Sequence, residues 1–206
     1  MEISPIKAFG SKFRLKSVAV ADVAARIAWQ TLAAGDRVGG LVVGNDEAQL
    51  HKPYRTTKAV ARLLNDVARL NQALSRHSVR ELSHDEMMLR VRRLARSNYR
   101  IFILSDFSGE LASWTDHLQK LAQHNSVTAV HVYDPIEMHL PPSDHYLVTD
   151  GKDRLQFYTG DQGLRSRYKD QFEQRSAALG AACLHDSMRY LPLSTDMTDL
   201  DAVQWL

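Results

Sequence analysis

Two short apolar runs, each ended by an acid, constrain this chain more than any other feature. Residues 99–107 read Tyr-Arg-Ile-Phe-Ile-Leu-Ser-Asp-Phe, and residues 126–135 read Ser-Val-Thr-Ala-Val-His-Val-Tyr-Asp-Pro. Such runs read as buried strands of a parallel sheet. In open α/β sheets ligands sit outside the carboxyl ends of the strands, so Asp106 stands where a functional carboxylate belongs. The structural alternative is that Asp106 caps the next helix by accepting its free N–H groups. Position alone does not choose between them.

The remaining segments fit around these strands. Residues 17–34 form an alanine-rich helix, apolar most of the way around and stopped by Gly35, as a helix packed on a sheet would be. Val38–Val43 reads as a strand, and after Gly44-Asn45-Asp46 the stretch Glu47–Lys52 alternates like a hairpin partner. Thr56 or Thr57 can cap a helix running to about Ser75. Ser83-His84-Asp85-Glu86 is a capping box opening a helix over 84–97. A helix is expected over 110–124, a hairpin from 145–149 and 154–158, a helix over 163–180 and a last strand near 183–190. Strands alternating with helices indicate an α/β domain, a mostly parallel sheet with helices on both faces. Only Met1–Ile3 precedes the loop leading to the first helix, so the first strand is expected to be largely missing. We therefore expect residues 1–206 to be a single domain shortened at its N-terminus.

Composition narrows the setting. The 206 residues are 44% apolar and 24% charged, ordinary for a soluble globular chain, and the net charge of +2 does not argue for nucleic acid. One cysteine, Cys183, excludes an internal disulfide and reads as a small core residue. With no long uncharged apolar window and no signal peptide, the expected location is cytoplasmic. Arg90, Arg92, Arg93, Arg96 and Arg100 cluster at a helix end, where cations suit the negative pole of the helix dipole. The histidines have no zinc-ligand spacing: His117 and His124 lie seven apart. Gly39-Gly40 lacks the Lys-Ser/Thr of a phosphate loop and reads as close packing against the first helix.

Several segments in order carry a family resemblance: Ile3-Ser4-Pro5; Phe9-Gly10-Ser11 with Lys16-Ser17; Gly35-Asp36-Arg37-Val38-Gly39; Ile103-Leu104-Ser105-Asp106-Phe107; Val132-Tyr133-Asp134-Pro135 with Glu137 and Leu140-Pro141; and Leu193-Ser194-Thr195-Asp196. Together they resemble the bacterial domain-of-unknown-function family number fifty-eight, whose core is similar to the von Willebrand factor type A domain. The resemblance implies a Rossmann-like fold with a metal-ion-dependent adhesion site, in which an Asp-x-Ser-x-Ser loop, a threonine and a distal aspartate surround Mg²⁺. Carried over by position, Glu2, Ser4 and Asp106 are the metal candidates, and Ser4, Thr56, Thr57 and Asp106 the binding candidates. Mg²⁺ requires near-octahedral oxygens at about 2.0–2.1 Å. Glu2 stands in place of aspartate and Ile6 supplies no hydroxyl, so the expected state is a degenerate, metal-free binding edge. The resemblance further implies full-length relatives anchored in a membrane and a MoxR-type AAA+ ATPase as partner.

Enzymatic motifs are missing. Glu2-Ile3-Ser4 cannot provide the Asp-x-Asp nucleophile of a haloacid dehalogenase. No Gly-x-Ser-x-Gly elbow is present, and no lysine follows a late strand as in a receiver domain. The expected function is a non-enzymatic protein-interaction module. A metal-dependent hydrolase at the same edge is the alternative.

Overall fold

The computed structural model describes residues 14–44, 47–73, 83–149 and 154–197. In chain order the elements are α1 (Lys16–Ala33), β1 (Val38–Val43), β2 (Ala48–Tyr54), α2 (Thr57–Ala73), α3 (His84–Leu94), β3 (Arg100–Ser105), α4 (Leu111–Ala122), β4 (Ser126–Tyr133), α5 (Pro135–Met138), β5 (His145–Thr149), β6 (Arg154–Tyr158), α6 (Gln162–Ala182) and β7 (Met188–Ser194). The strand expected at Met1–Ile3 and the amphipathic end at 199–206 lie outside the described residues.

The expected parallel pairing is found in one sheet, ordered β3–β4–β7. The other four strands form two antiparallel hairpins, β1–β2 and β5–β6. Chain length dictates this split, because a parallel crossover needs a dozen or more residues and these connections span only a few. The architecture is thus mixed α/β.

Side chains of β4 alternate between the faces with the period of two that a strand imposes. Val127 and Ala129 join a core with Met88 of α3, Trp114, Leu118 and Leu121 of α4, and Leu179 of α6. Val130 and Val132 join Ala19, Val23 and Ile27 of α1, with Leu193 of β7. Helices therefore cover both faces. Each fully buried side chain of this size contributes about 1.5–3 kcal/mol. Residues Val127 to Val132 are all buried, whereas β3 is only half-buried. Among the described residues β3 has a strand on one side alone. Helix α1 packs against β1 as well as β3 and β4, and so links the first hairpin to the parallel sheet.

Two readings of the sequence need correction. The last strand lies at Met188–Ser194, not 183–190, because α6 continues to Ala182 with Cys183 as its C-cap. Pro192 argues against a strand there, but among the described residues β7 is at the edge of its sheet, where proline is tolerated. Gly39 and Gly40 do not make room for α1. A Cβ on Gly39 would lie 2.7 Å from the His51 carbonyl oxygen and 2.8 Å from Pro53 N, in the bulged part of the hairpin. A Cβ on Gly40 would meet Leu63 of α2 at 3.2 Å. Gly39→Ala must move backbone, and overpacking of this kind costs about 1–3 kcal/mol. The expected outcome is a lowered urea midpoint for Gly39→Ala with the m-value unchanged. A midpoint equal to wild type would refute the close approach.

Cys183 is a free, buried thiol whose pKa is raised by burial, as suits a core residue. No helix among the described residues is long and apolar enough to cross a membrane.

Candidate functional site

Parallel strands end on the same edge of a sheet, so β3, β4 and β7 deliver Asp106, Asp134 and Thr195 to one rim. The loop after β3 is tightly specified. Ser105 Oγ accepts a hydrogen bond from Phe107 N at 3.0 Å, and Asp106 Oδ1 accepts one from Ser108 N at 3.2 Å. Phe107 has a left-handed φ of 47°, a rare conformation for a bulky residue, and its side chain is fully buried against Trp114 and His131. Arg175 of α6 donates to the carbonyls of Phe107 and Gly109, and Trp114 Nε1 donates to the Ser108 carbonyl at 2.8 Å. The loop therefore holds Asp106 in one place. Asp106 does not cap the next helix: α4 begins after Glu110, which makes no side-chain cap, and the Asp106 carboxylate bonds Ser108 instead.

What faces Asp106 is a lysine. Lys16 Nζ lies 3.1 Å from Asp106 Oδ2 and 2.9 Å from Glu137 Oε1. Lys16 is the first residue of α1, following Leu15, which provides no side-chain cap. A cation there opposes the positive end of the helix dipole, and the two carboxylates offset that cost. Burial works against the charged form of Lys16, but Asp106 and Glu137 overcome it and raise its pKa above 10.5. Burial likewise opposes ionisation of Asp106, and Lys16 with the Ser108 hydrogen bonds prevails, so its pKa falls below 3.8. Lys16 and Asp106 are therefore both charged at neutral pH.

The second carboxylate is placed by the end of β4. Asp134 caps α5 by accepting from Ile136 N at 3.0 Å, and Glu137 reaches back to Asp134 N at 3.0 Å. Pro135 at the first turn completes this capping box. Asp134 is buried and also accepts from Thr195 Oγ1 at 3.1 Å. Its role is to fix Glu137 and β7 rather than to face solvent. Arg14 ties the approach to α1 onto the same rim, donating to the Thr195 and Met197 carbonyls at 3.0 and 2.9 Å.

Of the residues singled out from sequence, Asp106 is on this rim, while Glu2 and Ser4 lie outside the described residues, as does Ile6. Thr56 Oγ1 accepts from Ala59 N at 3.2 Å, a capping contact at the start of α2, and Thr57 is exposed. Neither hydroxyl hydrogen-bonds Asp106 among the described residues. Sequence reasoning missed Lys16 and Glu137 as members of the site. A lysine at an uncapped helix start is the signal that could have found the first. The Asp-Pro-x-Glu box is the signal for the second.

The described residues offer no catalytic constellation. Ser113 Oγ and His117 Nε2 both bond the same oxygen of Asp85, which separates the hydroxyl from the imidazole. His131, Tyr190 and Ser176 form a chain, with His131 Nδ1 2.8 Å from the Tyr190 hydroxyl and that hydroxyl 2.7 Å from Ser176 Oγ. The imidazole, however, is buried among aromatic rings. Among the described residues no group of three or more His, Cys, Asp and Glu side chains is arranged to hold a metal ion.

A parallel α/β sheet with charged groups gathered at its carboxyl ends is compatible with the Rossmann-like class. Within it, the chain belongs to the family described as "Protein of unknown function DUF58", whose model matches residues 1–178. No curated protein matches it. Among solved structures, it is similar to the conserved hypothetical protein BatB from Bacteroides thetaiotaomicron, with 12% identity and a TM-score of 0.44 over 84% of this chain and 80% of that one. It is also similar to an uncharacterized membrane spanning protein from Vibrio fischeri, with 10% identity and a TM-score of 0.28 over 91% of this chain and 82% of that one. Neither likeness is strong enough to carry an argument about function.

Proposed function

We propose that this chain is a non-enzymatic protein-interaction module of von Willebrand factor A-like fold, whose rim is a degenerate form of a metal-ion-dependent adhesion site. Residues 1–206 would form a single domain. The observation that carries this reading is Asp106, fixed at the carboxyl end of β3 with Lys16 and Glu137 while its side chain remains 35% exposed. A carboxylate so firmly oriented, yet open to solvent, can meet a partner with little further ordering cost. Ser4, Thr56 and Thr57 would extend the gripping surface, and Glu2 is the remaining candidate around the vestigial metal position. The family resemblance suggests a membrane-linked complex with a MoxR-type AAA+ ATPase on the cytoplasmic side.

The test is capture of a purified MoxR-type AAA+ ATPase by wild type and by Asp106→Ala. The expected result is recovery reduced at least tenfold for the variant, with an unchanged circular dichroism spectrum. Equal recovery by the two proteins would remove Asp106 from the binding surface and end this reading.

A further inference from the structure

We propose that the groove between the β1–β2 hairpin and the end of α3 docks an acidic, leucine-bearing helix of a partner protein. No residue lining this groove belongs to the rim around Asp106, so the inference goes beyond the function proposed for that rim. The hairpin carries its larger apolar side chains on the face turned away from its own helix. Strand side chains alternate between faces, so the pairs Gly40–His51 and Val42–Gln49 share one face, and Leu41–Leu50 and Val43–Ala48 share the other. The first face meets α2: a Cβ on Gly40 would touch Leu63, one on Gly44 would touch Leu70, and His51 lies 3.0 Å from Asp66. An antiparallel hairpin packed on one side ordinarily presents polar residues on the other. Here Gln49 and His51 share the helix-facing side, while Leu41, Ala48 and Leu50 face away from it and Leu50 is 47% exposed.

Helix α3 supplies the other wall. Arg90, Arg93 and Leu94 stand three and four positions apart, so they lie on one face of that helix, and with the hairpin's apolar face they border the groove. Its volume of about 230 Å³ is below the roughly 300–1,000 Å³ of small-molecule sites and suits side chains inserted from another protein. The lining is aliphatic and the edge is positive. Arg90 is paired only with exposed Glu86, a surface contact of little strength, and Arg93 forms no ion pair among the described residues. The helix dipole accounts for arginines at the end of α3, but not for the half-exposed Leu50 and Leu94 gathered beside them. An apolar centre with arginine around it is the composition of a protein interface. A helix laid into the groove with leucines inward and carboxylates on its flanks satisfies both features, the carboxylates pairing Arg93 and competing for Arg90. A flat lipid surface would reach the arginines and leave the apolar hollow unfilled.

The test is fluorescence polarisation of a labelled peptide of about 15 residues, with leucines at helical spacing and glutamates between them, titrated with the full chain. The same peptide with lysine in place of glutamate is the control. Saturable binding of the acidic peptide is expected, with none of the lysine peptide. Arg93→Glu and Leu50→Ser should each weaken it about tenfold or more, one through charge and the other through the apolar lining. Both side chains are exposed, so the variants should keep the wild-type circular dichroism spectrum. No binding, equal binding of the two peptides, or dependence on only one of the two side chains would overturn the proposal. So would sedimentation with phosphatidylglycerol vesicles that Arg93→Glu abolishes, in the absence of saturable peptide binding, because the surface would then be a membrane contact. The titration reads the groove and the ATPase capture reads Asp106, so either can fail while the other stands.

Discussion

Phe107→Ala is expected to lower stability by about 3–5 kcal/mol, the usual cost of emptying a fully buried aromatic site. Phe107 has no exposed surface and packs edge-on to Trp114, with ring centroids 4.9 Å apart, so its loss opens a hole beneath the strand-end loop. For a chain of this length that cost corresponds to a drop in Tm on the order of 10 °C. A second variant separates packing from backbone strain. With φ at 47°, any L side chain at this position carries roughly 1–2 kcal/mol of steric cost that glycine escapes. Phe107→Gly should therefore be at least as stable as Phe107→Ala, the reverse of the order found at ordinary positions. Urea midpoints of the two variants decide the matter, and a Phe107→Ala protein clearly more stable than Phe107→Gly would show that the loop backbone is not left-handed. The same substitutions should weaken partner capture, because the loop that buries Phe107 also orients Asp106.

Much of this architecture is legible in the chain because its signals are local. The apolar runs at 100–104 and 126–133 identify β3 and β4, and turn chemistry at 44–47 and 150–153 gives both hairpins within a residue or two. Asp106 is legible for the same reason, since the residue that follows a parallel strand lies at a defined edge. What the sequence hides is pairing across distance. Lys16 and Asp106 are 90 positions apart, and Lys16 and Glu137 lie on different elements, so nothing in either neighbourhood announces their meeting. Gly39 is hidden similarly: its neighbours suggest a helix nearby, whereas the close approach comes from β2 backbone across a bulge. Phe107 conceals its strain because a phenylalanine after a strand reads simply as core. Only the fold shows that reaching the core requires the left-handed turn, clamped by Arg175 from the far end of the chain.

The stability of the protein should fall in two separate steps as the solution is acidified, the upper one owing to His131. Burial holds this imidazole's pKa below 6.5, the negative charges of Glu137 and Asp106 opposing that and Arg175 and Lys16 reinforcing it. The ring sits among Phe107, Tyr133, Phe172 and Tyr190, and its Nδ1 meets the Tyr190 hydroxyl. The unfolded chain therefore takes up a proton before the folded one does. Stability from neutral His131 is complete above pH 6.5 and is lost as pH falls through the folded-state value, with a slope of at most about 1.4 kcal/mol per pH unit. Asp106 contributes to the lower step for the same linkage reason, together with Glu47, Asp85 and Asp116: its pKa lies below 3.8, so its contribution is present above that value and disappears on further acidification. Lys16 acts at the opposite extreme, its contribution being full below 10.5 and lost as pH rises through its elevated pKa. His131→Gln keeps a hydrogen-bonding group near Tyr190 but cannot titrate. Denaturant midpoints measured from neutral pH down to 4.5 should decline for wild type and stay flat for His131→Gln, while both decline below it. Parallel curves for the two proteins above 4.5 would mean that His131 is not held neutral by its aromatic surroundings, and that the upper step belongs to another group.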